Sequence, residues 1–255
     1  DQRASSRSAT ASEQSEVTKE AKPPLVQAQV ITTAEITSPQ EETGKDISKN
    51  SFGGQGGDKE TNEDNAEFIP KEVKMDSAFR KKLNTFFSNF SEVGVQPFAR
   101  DKINNKGLIS FGVLHNYING PDKFGITEDL DGRLAARHAE AAVEYYFDRK
   151  LERHESVPPR IRYKNSCYYI PMADGEAYTF SQIAKLVEIG PNLFVAAVNV
   201  YRAPNGWEGN SHETSVEWRR NTKDETEIPE LLTKMTAMIK KLADRYILVE
   251  YLKSI

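Results

Sequence analysis

The aromatic residues of this 255-residue chain are divided very unevenly along its length. Phe52 and Phe68 lie among the first 70 residues, whereas residues 71–255 contain the other 22 of the 24 aromatic residues. The first 70 residues also carry 13 acidic and 7 basic side chains, a net charge of −6. So polar a segment cannot bury enough apolar surface to offset the entropy lost on ordering. We therefore predict a disordered polar tether over residues 1–70 and a single folded domain over residues 71–255.

The composition of the domain limits the classes of function that we expect. The whole chain has a net charge of −4, so residues 71–255 carry about +2 and show no basic helix or arginine stripe; we predict no nucleic-acid partner. No run of 18 apolar residues occurs, so no membrane-spanning segment is predicted. Cys167 is the only cysteine, which excludes an internal disulfide and a cysteine-based zinc site. We predict no cofactor and no metal.

Three helices are predicted in the first half of the domain, because apolar side chains recur there at helical spacing. The first begins near Asp76 and ends at Gly94, the second spans residues 105–119, and the third runs from about Asp131 to about Arg153. The stripe of the first helix is Phe79, Leu83, Phe86, Phe87, Phe90 and Val93. That of the second is Leu108, Phe111, Leu114, His115 and Ile118, and that of the third is Ala136, Ala139, Val143, Phe147 and Leu151. We expect the aromatic stripe of the first helix to be core.

Strands are predicted after Pro159, where the apolar period changes to two. Residues 183–189 and 194–201 flank a tight turn and form one hairpin, and residues 233–242 and 245–252 form another. Helices followed by antiparallel strands indicate an α+β fold, in which about three N-terminal helices pack on a curved antiparallel sheet of four to six strands. This element order resembles the cystatin-like and NTF2-like architectures.

Two phrases of the sequence resemble uncharacterised bacterial surface lipoproteins: FFSNFSEV at residues 86–93 and YYIPMADGEAY at residues 168–178. Such proteins carry a polar tether ahead of a domain of this kind. The resemblance implies an extracytoplasmic location, secreted or at the cell surface, and supplies no activity. The chain has no cysteine at its start for a lipid to modify, so membrane contact is expected only through a possible upstream lipid anchor.

Histidines are the first candidates for chemistry because they titrate near neutral pH. His115, His138, His154 and His212 show neither His-x-His nor His-x-x-x-His spacing, so we assign no catalytic residue and no metal ligand. His115 is expected beside the apolar face of the second helix, and His154 in the last turn of the third. A concave sheet face would form a pocket, which His115, Tyr117, Tyr145, Tyr169 and Asp174 are placed to approach.

A long connector between strands, residues 203–230, contains both tryptophans of the chain, Trp207 and Trp218. Long loops with aromatic side chains are often binding surfaces. The alternative is that each indole covers the sheet edge and holds the loop down.

These features favour a non-catalytic, extracytoplasmic binding domain on a flexible tether, whose partner is a cell-envelope protein or glycan. Two alternatives stay open. One is a small-molecule-binding or acid/base enzyme domain with its pocket in the concave sheet face. The other is a protein inhibitor or assembly factor that uses sheet edges or hairpin tips.

Overall fold

The computed structural model describes residues 68–172, 178–222 and 224–254. Most of the predicted tether and the candidate residue Asp174 lie outside these residues. The described residues have an α+β structure, as the sequence predicted. No helix within the described ranges is both long enough and apolar enough to cross a lipid bilayer.

Four α-helices and nine β-strands are found in the described part of the chain. The helices are α1 (Ser77–Glu92), α2 (Asn105–Asn119), α3 (Ala136–Phe147) and α4 (Ser215–Asn221). The strands are β1 (Lys71–Glu72), β2 (Phe124–Ile126), β3 (Asp131–Ala135), β4 (Arg162–Lys164), β5 (Cys167–Pro171), β6 (Thr179–Gly190), β7 (Leu193–Arg202), β8 (Glu230–Lys241) and β9 (Tyr246–Lys253). The β6–β7 and β8–β9 hairpins confirm the two hairpins predicted from the sequence.

The strands form two antiparallel sheets, so the prediction of a single sheet is wrong. The larger sheet has the strand order β1-β6-β7-β8-β9, and the smaller has the order β2-β3-β5-β4. The second sheet arises because residues 131–135, predicted to begin the third helix, form β3 and pair with β5. Within β3, Gly132 and Leu134 are buried while Arg133 is exposed, which is the alternation of a strand.

The third helix is also shorter than predicted at its C-terminal end. It stops at Phe147 because Asp148 takes a left-handed conformation with φ 53°. Asn105 then holds the following segment away from a helical path: its Oδ1 accepts a hydrogen bond from the Glu152 backbone N–H at 3.0 Å. His154 therefore lies in a loop, and its predicted place in the last turn of the helix is wrong.

Two apolar cores lie on opposite sides of the α2–α3 pair. The first core fills the space between the five-stranded sheet and the helices, with Phe86, Phe87 and Phe90 of α1 at its centre. The second core joins α2 and α3 to the four-stranded sheet through residues such as Ile109 and Tyr168. The helix-facing side of the larger sheet is thus filled with Phe, Leu and Val side chains, and any cleft must lie elsewhere.

The two helices of the middle layer approach each other closely at Gly112. A side chain at this position would place its Cβ 2.6 Å from the backbone oxygen of Ala139 on α3. The Asn104 side chain caps the start of α2 by accepting a hydrogen bond from the Gly107 N–H at 2.8 Å. The approach of α2 to α3 is therefore limited by a backbone contact at Gly112, and a side-chain cap closes the start of α2.

Side chains of α1 cover the open edge of β6. Asn84 Oδ1 accepts a hydrogen bond from the Ile183 N–H at 2.8 Å, and Ser88 Oγ accepts one from the Ser181 N–H at 2.9 Å. On the opposite edge of the sheet, Phe98 pairs with Tyr251 of β9. A partner strand that added to these positions would have to displace contacts already made within the domain.

Candidate functional site

The connector that follows β7 contains α4 and is tied down at several points. The Gln182 side chain of β6 donates hydrogen bonds to the backbone oxygens of Ser211 and Glu213, both at 2.7 Å. The Trp218 indole of α4 is only 3 % exposed, and its Nε1 donates to the Asn210 backbone oxygen at 2.9 Å. Trp218 therefore belongs to a small core beneath the connector.

The second indole packs in the same small core. The Trp207 ring lies parallel to that of Phe180, with centroids 5.4 Å apart, and meets Trp218 edge to face at 5.9 Å. Gly209 lies so close that any side chain there would collide with the Trp207 indole. Packing within the domain thus accounts for both tryptophans, and their role in partner binding stays a prediction.

His115 and Tyr117 point to different sides of α2. Tyr117 lies in the second core, 6 % exposed, with its ring edge-on to Phe124 at 5.7 Å. His115 faces the first core and stacks on Phe111 at a centroid distance of 5.3 Å. The structure therefore does not bring these two candidates together, since residues two positions apart on a helix project in nearly opposite directions.

The other two tyrosine candidates lie away from His115. Tyr169 stands on β5 between Arg133 of β3 and Arg162 of β4, on the side of its strand opposite the buried Tyr168. Tyr145 is 49 % exposed at the end of α3, with the Arg245 guanidinium 5.6 Å from its ring centroid. These placements give no common pocket among the described candidates.

A polar cluster around Glu92 was missed by the sequence reasoning. Glu92 is the last residue of α1, and its Oε2 accepts a hydrogen bond from Asn119 Nδ2 at 3.3 Å. The same amide nitrogen lies 3.3 Å from His115 Nδ1. The Asn119 amide has two hydrogens, so it can donate to the carboxylate and to a neutral imidazole at once. Glu92, Asn119 and His115 therefore form a continuous polar chain from α1 to α2.

Burial shifts the pKa values of Glu92 and His115, the two ends of this polar chain, so that the neutral form of each side chain is favoured. It raises the pKa of Glu92 from 4.5 to about 7, and the Asn119 hydrogen bond only partly opposes this rise. Burial also lowers the pKa of His115 from 6.5 to about 4, helped by the nearby charge of Lys123. At neutral pH His115 is uncharged, and Glu92 is poised between its acid and its carboxylate.

Two tyrosine hydroxyls lie within the electrostatic field of Glu92. Burial raises the pKa of Tyr146 to about 12, with further contributions from Tyr145 and Glu92. Burial and Glu92 likewise raise the pKa of Tyr178 to about 12. The Tyr146 ring also contacts His115, edge to face at 4.8 Å. Both hydroxyls stay protonated at neutral pH, so negative charge in this cluster is confined to Glu92.

A cleft of about 390 Å³ lies beside Glu92. It is bounded by the end of α1 with residues 93–98, by one side of α2, and by residues 157–161. Its apolar lining consists of Val93, Val95, Pro97, Phe98, Ile103, Phe111, Leu114, Val157, Pro158, Pro159 and Ile161. Its polar side chains are those of Ser91, Glu92, Gln96, Lys102, Asn104, Ser110 and Arg160. Phe111 connects the cleft to the polar chain because it lines the one and stacks on His115.

The outer wall of the cleft is held by Asn105, which is 7 % exposed. Its Nδ2 donates hydrogen bonds to the Arg153 backbone oxygen and to Glu155 Oε1, both at 2.9 Å. These bonds, together with the one from the Glu152 N–H, fix the segment that leads into residues 157–161. Loss of the Asn105 amide would therefore loosen one wall of the cleft.

His154 fixes the same segment to the four-stranded sheet. Its Nδ1 lies 2.8 Å from the Tyr168 hydroxyl and its Nε2 2.7 Å from Glu140 Oε1. Burial raises the pKa of Tyr168, so its hydroxyl stays protonated and keeps a hydrogen to donate. Because Tyr168 is fully buried, its hydroxyl serves to position the wall.

The cleft thus combines mostly apolar walls with one half-buried carboxyl that is able to donate or accept a hydrogen bond near neutral pH. Ligand sites commonly consist of an apolar cavity with a few convergent polar groups. Within the described residues, no group of three or more His, Cys, Asp or Glu side chains is arranged to hold a metal ion.

Comparisons with known proteins give no identification: no protein-family model, curated protein or solved structure matches the chain.

Proposed function

We propose that the domain is a non-catalytic binding module and that its ligand occupies the cleft beside Glu92. The ligand is a small, largely apolar molecule with at least one hydrogen-bonding group. One observation supports this most strongly: a cleft of about 390 Å³ with mainly apolar walls reaches a half-buried carboxyl whose charge is unfavourable without a partner.

The chemistry of the walls supports an apolar ligand. Pro97, Pro158 and Pro159 have no backbone N–H, so this part of the lining offers few hydrogen-bond donors. Burial of apolar ligand surface contributes roughly 25 cal/mol per Å². The polar chain of Glu92, Asn119 and His115 then provides orientation, because Glu92 lines the cleft and is held in place by its hydrogen bond from Asn119.

The compartment and the tether are part of the same proposal. We propose an extracytoplasmic domain, secreted or at the cell surface, carried on residues 1–70 and related to NTF2-like or cystatin-like folds. The support is the polar composition of that segment, the phrases that resemble surface lipoproteins, and the order of helices before long antiparallel strands. A cell-envelope protein or glycan remains a proposed partner through Trp207, whose indole is partly exposed.

An acid/base enzyme is the second candidate, because the pKa of Glu92 is about 7 and a general acid or base works best near the operating pH. Mass spectrometry of apolar molecules incubated with the wild type and with the Glu92→Gln variant separates the two proposals. Conversion by the wild type alone would support catalysis, whereas unchanged recovery from both proteins supports binding.

Titration with N-phenyl-1-naphthylamine tests the binding proposal. This neutral probe becomes more fluorescent in apolar surroundings. We expect saturable binding to the wild type and at least tenfold weaker binding to Leu114→Trp, which fills the cleft. Val216→Trp is the matched control, because Val216 is 60 % exposed on α4 and does not line the cleft. Equal binding by all three proteins, or no saturable binding, would overturn the proposal.

A further inference from the structure

We infer that the cleft takes an elongated molecule with an anionic group at one end, an apolar middle and a neutral hydrogen-bonding group at the other end. This inference rests on the proposed function, since it takes the cleft as the ligand site. It adds a direction and a charge to the ligand, and both come from where the polar side chains lie along α2.

The cleft follows α2 for most of the length of that helix. Asn104 at the helix start and Leu114 in its third turn both line the cleft. Ten residues separate them, which at 1.5 Å per residue is a distance of about 15 Å. The two ends of the cleft are therefore far enough apart to hold different groups of one molecule.

The end of the cleft near the start of α2 is cationic. Lys102, two residues before the N-cap of α2, lines the cleft at this end. Lys102 is exposed and forms no ion pair within the described part of the chain. Glu92 is the sole carboxyl among the lining residues, and it lies toward the other end, because it accepts a hydrogen bond from Asn119, the last residue of α2. A carboxylate or another anion is therefore favoured near Lys102.

The opposite end of the cleft suits a neutral hydrogen-bonding group. Glu92 accepts a hydrogen bond when ionised and donates one when protonated, whereas Asn119 already spends its amide hydrogens on Glu92 and His115. A hydroxyl fits both states of Glu92, because it both donates and accepts. A second anion at this end would face the carboxyl and is disfavoured.

The middle of the cleft sets the length and character of the ligand. Its lining includes the apolar side chains of Ile103 and Phe111 on the α2 side, together with Val157 and Ile161 of the segment at residues 157–161. A straight ten-carbon chain with a carboxylate at one end and a hydroxyl at the other is close to the distance of about 15 Å along α2. 10-Hydroxydecanoate is therefore the probe that matches all three parts of the cleft.

Displacement of N-phenyl-1-naphthylamine by four ten-carbon compounds tests the inference. We expect 10-hydroxydecanoate to displace the probe best, followed by decanoate, decan-1-ol and decylammonium. In the Lys102→Glu variant, both carboxylates should bind at least fivefold more weakly, whereas the binding of decan-1-ol should not change. Lys106→Glu is the matched control, because it makes the same charge change on an exposed residue outside the cleft lining. It should weaken the binding of the carboxylates less than twofold.

The Glu92→Leu variant tests the far end of the cleft. From this variant, 10-hydroxydecanoate should displace the probe no better than decanoate does. Equal displacement by the carboxylates and decylammonium would overturn the inference, and so would equal effects of Lys102→Glu and Lys106→Glu. Probe binding without displacement by any of the four compounds would also overturn it. Each of these results leaves the proposed function standing, whereas a failure of the naphthylamine probe itself to bind contradicts the proposed function.

Discussion

Neutralising Glu92 should stabilise the domain at neutral and alkaline pH. In the Glu92→Gln variant the side chain keeps its size and an oxygen that accepts the hydrogen bond from Asn119, but it loses the ability to ionise. The wild-type protein must ionise this half-buried carboxyl as the pH rises, without a cation paired to it in the described structure. The variant avoids that unfavourable charge.

The magnitude follows from the shift of the Glu92 pKa from 4.5 to about 7. At 1.36 kcal/mol per pKa unit, this shift corresponds to a difference of about 3 kcal/mol in the free energy of unfolding. Because the pKa is higher in the folded state, the unfolded chain releases the proton first. The stability provided by the protonated carboxyl is complete below pH 4.5, declines between pH 4.5 and 7, and is absent at higher pH.

His115 acts in the opposite direction over an overlapping range. Its pKa falls from 6.5 to about 4 on folding, so the unfolded chain takes up the proton first as the pH falls. Stability is therefore lost between pH 6.5 and 4 on acidification. The two effects oppose each other in the wild type between pH 4.5 and 6.5, so only a comparison of variants isolates the contribution of Glu92.

Urea unfolding of the wild type and Glu92→Gln at pH 4, 5, 6, 7 and 8 measures this contribution. The variant should be about as stable as the wild type at pH 4 and about 3 kcal/mol more stable at pH 8. Glu208→Gln, at an exposed carboxyl in the connector, is the matched control and should change stability by less than about 0.5 kcal/mol at every pH. A difference between Glu92→Gln and the wild type that does not vary with pH would refute the reasoning.

Three further changes have outcomes that denaturant unfolding can check. His115→Phe keeps a ring against Phe111 and removes the imidazole that takes up a proton on acidification. The variant should therefore be about 2 kcal/mol more stable than the wild type at pH 5, and equal stability would contradict a buried neutral imidazole. Trp218→Ala should destabilise by about 3–5 kcal/mol because it empties the core under the connector, and a loss below about 1 kcal/mol would favour a surface role. Gly112→Ala should cost about 1–3 kcal/mol in stability, because the added Cβ meets the Ala139 backbone oxygen. Gly107→Ala should cost less, because the nearest atoms there belong to the side chains of Ile103 and Asn104.

The parts of the fold that follow one dominant period were predictable from the sequence. The spacing of Phe86, Phe87 and Phe90 predicted α1, and the alternation from Phe194 to Val200 predicted β7. Residues 131–135 were misassigned because this five-residue strand runs directly into α3. A strand this short shows too little alternation to be separated from the helical spacing of the apolar residues that follow it. The second sheet was missed for the same reason, since β3 joins β2 to β5.

The candidate site was harder to predict than the fold. Glu92 depends on a hydrogen bond with Asn119, which is distant in sequence, and no local spacing indicates such a contact. One signal was present: Glu92 is the single acidic residue of α1, at the end of an aromatic stripe. Composition also does not distinguish an indole that covers a sheet from one that faces a partner. The bond from Trp218 to Asn210 shows that Trp218 packs within the domain.

The most direct measurement of the link between Glu92 and the cleft is a carbon-13 NMR titration of the Glu92 side-chain carboxyl, with and without N-phenyl-1-naphthylamine. In the free protein we expect a midpoint near pH 7. With the probe bound we expect a higher midpoint, because the probe replaces water beside the carboxyl and makes its charge still less favourable. A midpoint near 4.5 that does not respond to the probe would contradict both the burial of Glu92 and its place in a ligand site.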